Sequence, residues 1–293
     1  MLRTITGRHN ASLRLARRLQ KKKYRVERGF FVAEGWDLLQ AALEAGINPV
    51  EVLVREDLTA RIPEELVSAA EADRIDIGVC GADALSEVSA LGGAADVVAV
   101  FAERRASLND WSVAAGITVF LYEVGDPGNV GTLCRSALAF GAAGVVCSPR
   151  TADAFGPRAL RAGMGAQFLL PVAVEVPADD LLRHVTARCE RGEAVPTLVL
   201  ADPRGAVPAF ELCPAGSGVV LALGSERGRL PGLDAAVWKE RVEVAVPQVG
   251  FDSLNVAMAG TVLLYELSLA GRCLGRVRQG GGPDCCAQRT GKL

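Results

Sequence analysis

Hydrophobic and polar positions along the chain fall into two blocks of alternating strand and helix patterns. In the first, Phe30-Phe31-Val32-Ala33 reads as a strand. A helical spacing through Leu38, Leu39, Ala42 and Leu43 follows, closed by Gly46, and Pro49–Val54 reads as the next strand. Short strands are expected at Ile75–Val79 and Asp96–Phe101. The stretch Ala102–Gly116, polar around Arg104, Arg105, Asn109 and Asp110, reads as a linker. The second block opens with the apolar strand Ile117–Tyr122 and continues with strands at Gly144–Cys147, Thr197–Leu200, Val219–Leu223 and Val242–Val246. Helical patterns at Val130–Phe140, Asp179–Glu190 and Leu254–Leu269 separate them. β-Branched strands that are apolar on both sides, alternating with helices, predict an α/β fold with a mostly parallel sheet covered on both faces. In such sheets ligands bind where loops leave the carboxyl ends of the strands.

Composition narrows the class. The chain has 293 residues, of which 50% are hydrophobic, enough for one large domain or two modest ones. Net charge is -2, but the charge is uneven: ten Lys or Arg lie between Arg3 and Arg28 against one acid, Glu27. That asymmetry points either to a polyanionic partner or to a solvated helix with a positive face. The eight cysteines form no C-x-x-C pair, and only His9 and His184 supply imidazole, so no metal is expected. The start lacks the apolar core of a secretory signal, so reduced thiols and a cytoplasmic location are expected. The longest apolar run, Val256–Leu264, is too short to span a bilayer, and no membrane role follows.

Three strand-to-helix junctions carry the candidate chemistry. In Glu123–Arg135, Pro127 and Gly128 make a tight turn, and Asn129 is expected to cap the helix that brings Arg135 near the loop. Its glycines do not fit G-x-G-x-x-G, which counts against a dinucleotide-binding oxidoreductase. The second junction, Leu221–Gly228, flanks Glu226 with two glycines and by itself reads as a turn as readily as a site. The third runs from Val244 to Ala259, with Ser253 as the expected helix cap and Asn255 in the first turn. There Asn255 is satisfied either by the backbone or by a ligand.

Together, these three loops resemble the motifs of the SpoU/TrmH methyltransferases of the SPOUT superfamily. The first matches as Asn129, Gly131 and Arg135, the second as Gly224, Glu226 and Gly228, and the third as Pro247, Ser253, Leu254 and Asn255. Arg158–Ala166 looks like the family's basic segment, with Gly163 where a serine is usual. Leu19–Arg25 and Gly29–Gly35 look like the start of a substrate-binding domain similar to ribosomal protein L30e. That match makes the basic N-terminus part of the enzyme rather than a transit peptide.

The resemblance implies an L30e-like α/β RNA-binding domain over 1–102, a linker over 103–116, and a trefoil-knotted SPOUT domain over 117–271. A flexible tail over 272–293 would follow. It implies S-adenosylmethionine as cofactor, held by Leu223, Gly224, Val246, Pro247, Ser253 and Leu254, with Gly224, Val246 and Leu254 acting through their main chain. Arg135 is then implied to activate or stabilise a ribose 2′-oxygen, with Asn129, Glu226, Ser253 and Asn255 positioning the groups around it. A guanidinium titrates above about 12, which favours stabilising charge over accepting a proton. Lys21, Lys22, Lys23, Arg25, Arg28 and Arg161 are the expected RNA contacts, and a homodimer is expected. Large-subunit rRNA of the 23S type is the expected substrate, because the two-domain layout resembles the rRNA enzymes. A tRNA methyltransferase, an enzyme shielding rRNA from an antibiotic, and a non-catalytic RNA-binding relative are the alternatives.

Overall fold

The computed structural model describes residues 2–7, 9–90, 92–93, 95–113, 115–212, 214, 218–224, 233, 237–250 and 254–278, the last eight by backbone alone. In chain order the elements begin with β1 (Leu2–Ile5), α1 (Ala11–Leu19), α2 (Lys22–Arg28), β2 (Phe30–Glu34), α3 (Trp36–Glu44) and β3 (Glu51–Arg55). There follow α4 (Glu64–Glu71), β4 (Asp76–Cys80), α5 (Ala82–Ser86), β5 (Val97–Ala102), β6 (Gly116–Tyr122) and α6 (Pro127–Ala139). Next come β7 (Gly144–Cys147), α7 (Pro157–Gly163), α8 (Ala166–Leu169), β8 (Val172–Ala173) and α9 (Ala178–Glu190). The chain then forms β9 (Thr197–Ala201), β10 (Val207–Pro208), β11 (Gly218–Gly224), β12 (Arg241–Ala245) and α10 (Val256–Arg278).

These elements form two compact units. One comprises Met1–Arg104 with Asp153–Leu169, the other Arg105–Ala152 with Leu170–Leu293. The first unit holds a five-stranded sheet in the order β1-β4-β3-β5-β2. Its β1, β4 and β3 run parallel, while β5 is antiparallel to both neighbours. Alternation along β5 sorts its side chains: Val98 and Val100 join Leu13, Ala16, Leu19 and Leu53 in one core. Phe101 points the other way and stacks on Phe31, which also meets Phe155 and Phe168. Residues 153–169 thus complete the apolar core of the first unit. Gly29 and Gly46, at φ 69° and 71°, close α2 and α3 in the left-handed conformation that glycine adopts without strain.

In the second unit seven strands lie parallel in the order β10-β12-β9-β11-β6-β7-β8. Phe120, Val146, Leu198 and Val220 pack on Leu181 and Val185 of α9, while Leu223 meets α10 on the opposite face. Trp111 and Val113, within the stretch expected as linker, are buried in this core, and Trp111 Nε1 donates to Thr118 Oγ1 at 3.0 Å. The same stretch adds to the sheet edge, where Ala106 N donates to the Val172 carbonyl at 3.0 Å. Helix α10 extends past the expected Leu269 to Arg278, into the stretch expected as tail.

Candidate active site

The strand order reverses between β6 and β11: from β6 the chain steps outward to β7 and β8, then returns to build β9, β11 and β12 on the other side. A parallel sheet opens a crevice at such a switch point. Here β6 and β11 end side by side, with Tyr122 opposite Gly224. The loops holding the first two sequence motifs therefore leave the sheet as neighbours.

The turn after β6 is held by the loop after β7. Ser148 N donates to the Leu121 carbonyl at 2.9 Å, and Ser148 Oγ accepts from Glu123 N at 2.9 Å. Thr151 Oγ1 donates to the same Leu121 carbonyl at 2.9 Å, and Ala152 N donates to the Val124 carbonyl at 2.9 Å. Glu123 and Arg150 both adopt positive φ, 53° and 67°, and form an ion pair across the two loops. Non-glycine residues in this region persist only where surrounding contacts impose it, and they concentrate at functional sites. Burial, and after it the hydrogen bond with Glu123, pushes the Tyr122 phenol above its ordinary range.

Helix α6 starts three residues earlier than the hydrophobic pattern suggests. Asp126, not Asn129, is its N-cap: the carboxylate accepts from Asn129 N at 2.8 Å, and Pro127 occupies the first turn. Asp-Pro-Gly-Asn is a cap followed by an N1 proline, the signal that identifies Asp126 from sequence. A carboxylate there also suits the positive end of the helix dipole. Asn129 is freed from capping and half-buried, while Arg135 is exposed on a helix whose Val130, Leu133, Cys134 and Ala137 are buried. The Cys134 thiol, fully enclosed, is pushed up to about 12 by burial.

Helix α10 packs along α6 in a parallel register. Gly260 faces Leu133, Thr261 Oγ1 and Ser136 Oγ are 2.7 Å apart, and Tyr265 meets Phe140 edge-on. One turn back from the Gly260–Leu133 contact are Val256 and Asn129, so both helices begin at the same edge of the sheet. Asn255 is the cap of α10 rather than a residue of its first turn: its Oδ1 accepts from Ala257 N at 2.8 Å. Leu223 is buried, Gly224 and Val246 are half-buried, and Pro247 and Leu254 are exposed. Glu226 and Ser253 lie outside the described residues. In the loop after β12, Gln248 Oε1 is a buried acceptor with no protein partner. A half-buried valine beside an orphaned acceptor fits a ligand with an apolar face and an amine, as an adenine has.

In the first unit Lys21, Lys22, Lys23 and Arg28 are exposed, as is Arg161, which lies 3.5 Å from Asp37. Arg25 departs from the expectation of an RNA contact. It is 4% exposed, and its guanidinium is engaged with Asp153 and the Leu19 carbonyl. A Cβ at Gly163 would sit 2.5 Å from Gln167 Oε1, so a serine there would require that amide to shift. The Gln167 side chain instead ties the segment together, donating to the Ala154 and Ala159 carbonyls. Among the described residues no group of three or more His, Cys, Asp or Glu could hold a metal, and no helix is long and apolar enough to cross a membrane.

The family model for the SpoU rRNA methylases matches residues 116–265, and that for the MRM3-like substrate binding domain matches residues 10–99. The 23S rRNA (guanosine(2553)-2′-O)-methyltransferase of Bacillus subtilis (strain 168) is 30% identical over 269 residues, 91% of this chain and 99% of that one. The 23S rRNA (uridine(2479)-2′-O)-methyltransferase of Streptomyces viridochromogenes is 35% identical over 144 residues, 48% of each chain. The crystal structure of the SpoU methyltransferase AviRb from Streptomyces viridochromogenes, in complex with AdoMet, matches with a TM-score of 0.76 at 25% identity. That match covers 94% of this chain and 100% of that one. The AdoMet-bound rRNA methyltransferase of Sinorhizobium meliloti matches with a TM-score of 0.76 at 28% identity, over 91% and 97% of the two chains.

Proposed function

The chain belongs to the SpoU rRNA methylase family, and from that membership we propose that its substrate is large-subunit rRNA, methylated at a ribose 2′-hydroxyl. It is an S-adenosylmethionine-dependent RNA 2′-O-methyltransferase. One observation carries the assignment to this site: the loops after β6 and β11 leave the switch point together, with Arg135 exposed on the helix that follows.

The bound cofactor supplies an electrophilic methyl group on a sulfonium. Leu223, Gly224, Val246, Pro247 and Leu254, with Ser253, are the residues that would hold it, and Gln248 adds an acceptor that the sequence motifs do not include. What the protein contributes is placement and charge. Arg135 stabilises negative charge on the ribose oxygen and orients the adjoining phosphate. Asp126 fixes the start of its helix, and Asn129 and Asn255, at neighbouring helix starts, line the approach. The family resemblance implies Glu226, outside the described residues, as a partner for the arginine fork. Exposed Lys21, Lys22, Lys23, Arg28 and Arg161 serve as phosphate contacts, which position RNA without reading its sequence.

We further assign the chain to a homodimer. Met258, Val262 and Tyr265, spaced by four and three residues, are 63%, 37% and 48% exposed and follow one face of α10, and Leu254, 39% exposed, lies just ahead of its cap. An apolar stripe of that kind is suited to cover a second copy. With rRNA as substrate, its place of work is the cytoplasm. The passage from β11 into α10, which places β12 beyond β9, is the part of the chain in which the implied knot would form.

The test is transfer of labelled methyl from S-adenosylmethionine to 23S rRNA, large ribosomal subunits and tRNA, followed by nuclease mapping. Label on a ribose 2′-oxygen of 23S rRNA, lost in Arg135→Ala, is the expected result. Label confined to tRNA, or an Arg135→Ala variant as active as wild type, would overturn the substrate or the arginine's role.

A further inference from the structure

We propose that Arg150, on the loop after β7, binds a phosphate of the RNA backbone beside the switch point, with Glu123 bracing its guanidinium. Both residues belong to the second unit. The inference rests on the methyltransferase reading above.

Arg150 and Glu123 each carry a long charged side chain on a left-handed backbone, at φ 67° and 53°. That conformation strains an L-residue and leaves glycine unstrained. The ion pair between them does not offset the strain. Arg150 is 76% exposed and Glu123 22%, and a pair so open to water contributes little. Neighbouring loops impose the conformation instead. Buried Ser148 and Thr151 both bond to the Leu121 carbonyl, and Ser148 Oγ accepts from Glu123 N. From the loop after β8, Val176 N donates to the Cys147 carbonyl at 3.0 Å, at the start of the Arg150 loop. Two strained charged residues, held by so many bonds for a pair of little worth, point to a use for the side chains outside the fold.

Exposure decides the sign of the ligand. The carboxylate is the sheltered partner, with the Tyr122 phenol bonded to it, and the guanidinium is the exposed one. A group arriving from solvent therefore meets the cation first. A guanidinium carries more N–H donors than its contacts with Glu123 and Tyr122 occupy. A fork held at one end and open at the other suits bidentate binding of a phosphate. Position narrows the source. Tyr122 ends β6 opposite Gly224 of β11, and Glu123 follows it, three residues ahead of the Asp126 cap on the helix of Arg135. Strand β7 pairs with β6, so the Arg150 loop lies one strand beyond the crevice, about 4.8 Å along the sheet edge. RNA with a ribose in that crevice carries its flanking phosphates over this edge.

The experiment uses the full chain as wild type, Arg150→Gly, Arg150→Asn, Arg150→Lys and Glu123→Gln, with 23S rRNA transcribed in vitro as the probe. RNA affinity is measured at several salt concentrations, beside the Kd for S-adenosylmethionine and the melting temperature. In Arg150→Gly and Arg150→Asn the expected result is RNA binding about three- to tenfold weaker at low salt. The slope of log affinity against log salt becomes shallower by about 0.7–1. The melting temperature does not fall, because glycine and asparagine accept the left-handed backbone. Arg150→Lys keeps the charge and with it the slope. Glu123→Gln binds RNA no more weakly than wild type, since the cation stays and an anion beside it is gone. Having two neutral variants keeps the test open if one fails to fold. A wild-type slope in both would overturn the proposal. So would RNA binding as weak in Glu123→Gln as in Arg150→Gly, because the shape of the loop would then be what matters. A cofactor Kd raised about tenfold at an unchanged slope would also overturn it, giving Arg150 to the carboxylate of S-adenosylmethionine. A wild-type chain that neither binds nor methylates any RNA would remove the underlying reading, and this proposal with it.

Discussion

Gly260→Ala sets two effects of opposite sign against each other. In a helix interior alanine is favoured over glycine by about 1 kcal/mol. A Cβ on Gly260, however, would lie 2.5 Å from Leu133 Cδ2 and 2.7 Å from Leu223 Cδ1, where carbon atoms ordinarily meet at about 3.5–4.0 Å. Both leucines are 0% exposed, so neither methyl can turn into solvent. Either the two side chains leave their rotamers or α10 retreats from α6 and β11. Overpacking of this kind costs about 1–3 kcal/mol. With two buried contacts violated at once, the upper part of that range applies, and the net loss is about 1–2 kcal/mol. At about 2–4 °C per kcal/mol, the melting temperature falls by several degrees. Retreat of α10 also displaces Asn255 from the start of α6, so kcat should fall further than the folded fraction does. Calorimetric unfolding and steady-state methyl transfer on the same preparation check both parts. A variant that is stabilised by the full helix-propensity gain and keeps wild-type kcat would refute the close-approach argument.

Three further outcomes are expected. Asp126→Ala removes the bond to Asn129 N and a charge at the positive end of α6, lowering stability by about 1 kcal/mol in urea titrations; Asp126→Ser should restore most of it. The folded-state pKa of His184 is lowered from 6.5, first by burial and then by Arg188 and Arg191. Its contribution to stability is therefore present above 6.5 and lost as pH falls through the folded value. In His184→Gln the acid-side loss of stability below 6.5 should be smaller, as read from unfolding curves at several pH values. Burial pushes the Cys80 thiol up to about 11 and the Cys134 thiol up to about 12. Both should resist thiol reagents at pH 8 in the native chain and react once it is unfolded; labelling of native Cys134, seen by peptide mapping, would contradict its burial.

Strands buried on both faces were the most legible feature of the sequence. Gly144–Cys147 falls where the apolar run places it, and β6, β9 and β11 differ from expectation by a residue or so. Two-sided burial leaves no polar position to blur the pattern. The exposed edge strand β1 reads Leu-Arg-Thr-Ile and was not legible, because three of its four residues face solvent. Helix starts were misjudged at both motif loops, in opposite directions. At α6 the apolar spacing begins a turn inside the helix that Asp126 caps, whereas at α10 Leu254 carries the apolar pattern two residues ahead of Val256, past the Asn255 cap. Arg25 was hidden by its company: composition groups it with the lysines beside it, and only Asp153, far along the chain, reveals its different fate. Nor could periodicity show that the polar stretch before β6 contributes Trp111 to a core.

The placement of residues 153–169 in the first unit bears on how the protein is made. When synthesis has reached residue 104, the five strands of the first sheet are complete, but the aromatic face of Phe31 and Phe101 still lacks Phe155 and Phe168. Arg25 is likewise still without its carboxylate. The nascent N-terminal sheet must therefore wait, partly uncovered, while β6, α6 and β7 emerge from the ribosome. Its folding cannot finish until residue 169 has been made, partway through the catalytic unit's own stretch of chain. A stop codon, a fusion or a gene swap placed at the linker would leave this unit without its final layer, so the two halves of the chain are inherited together.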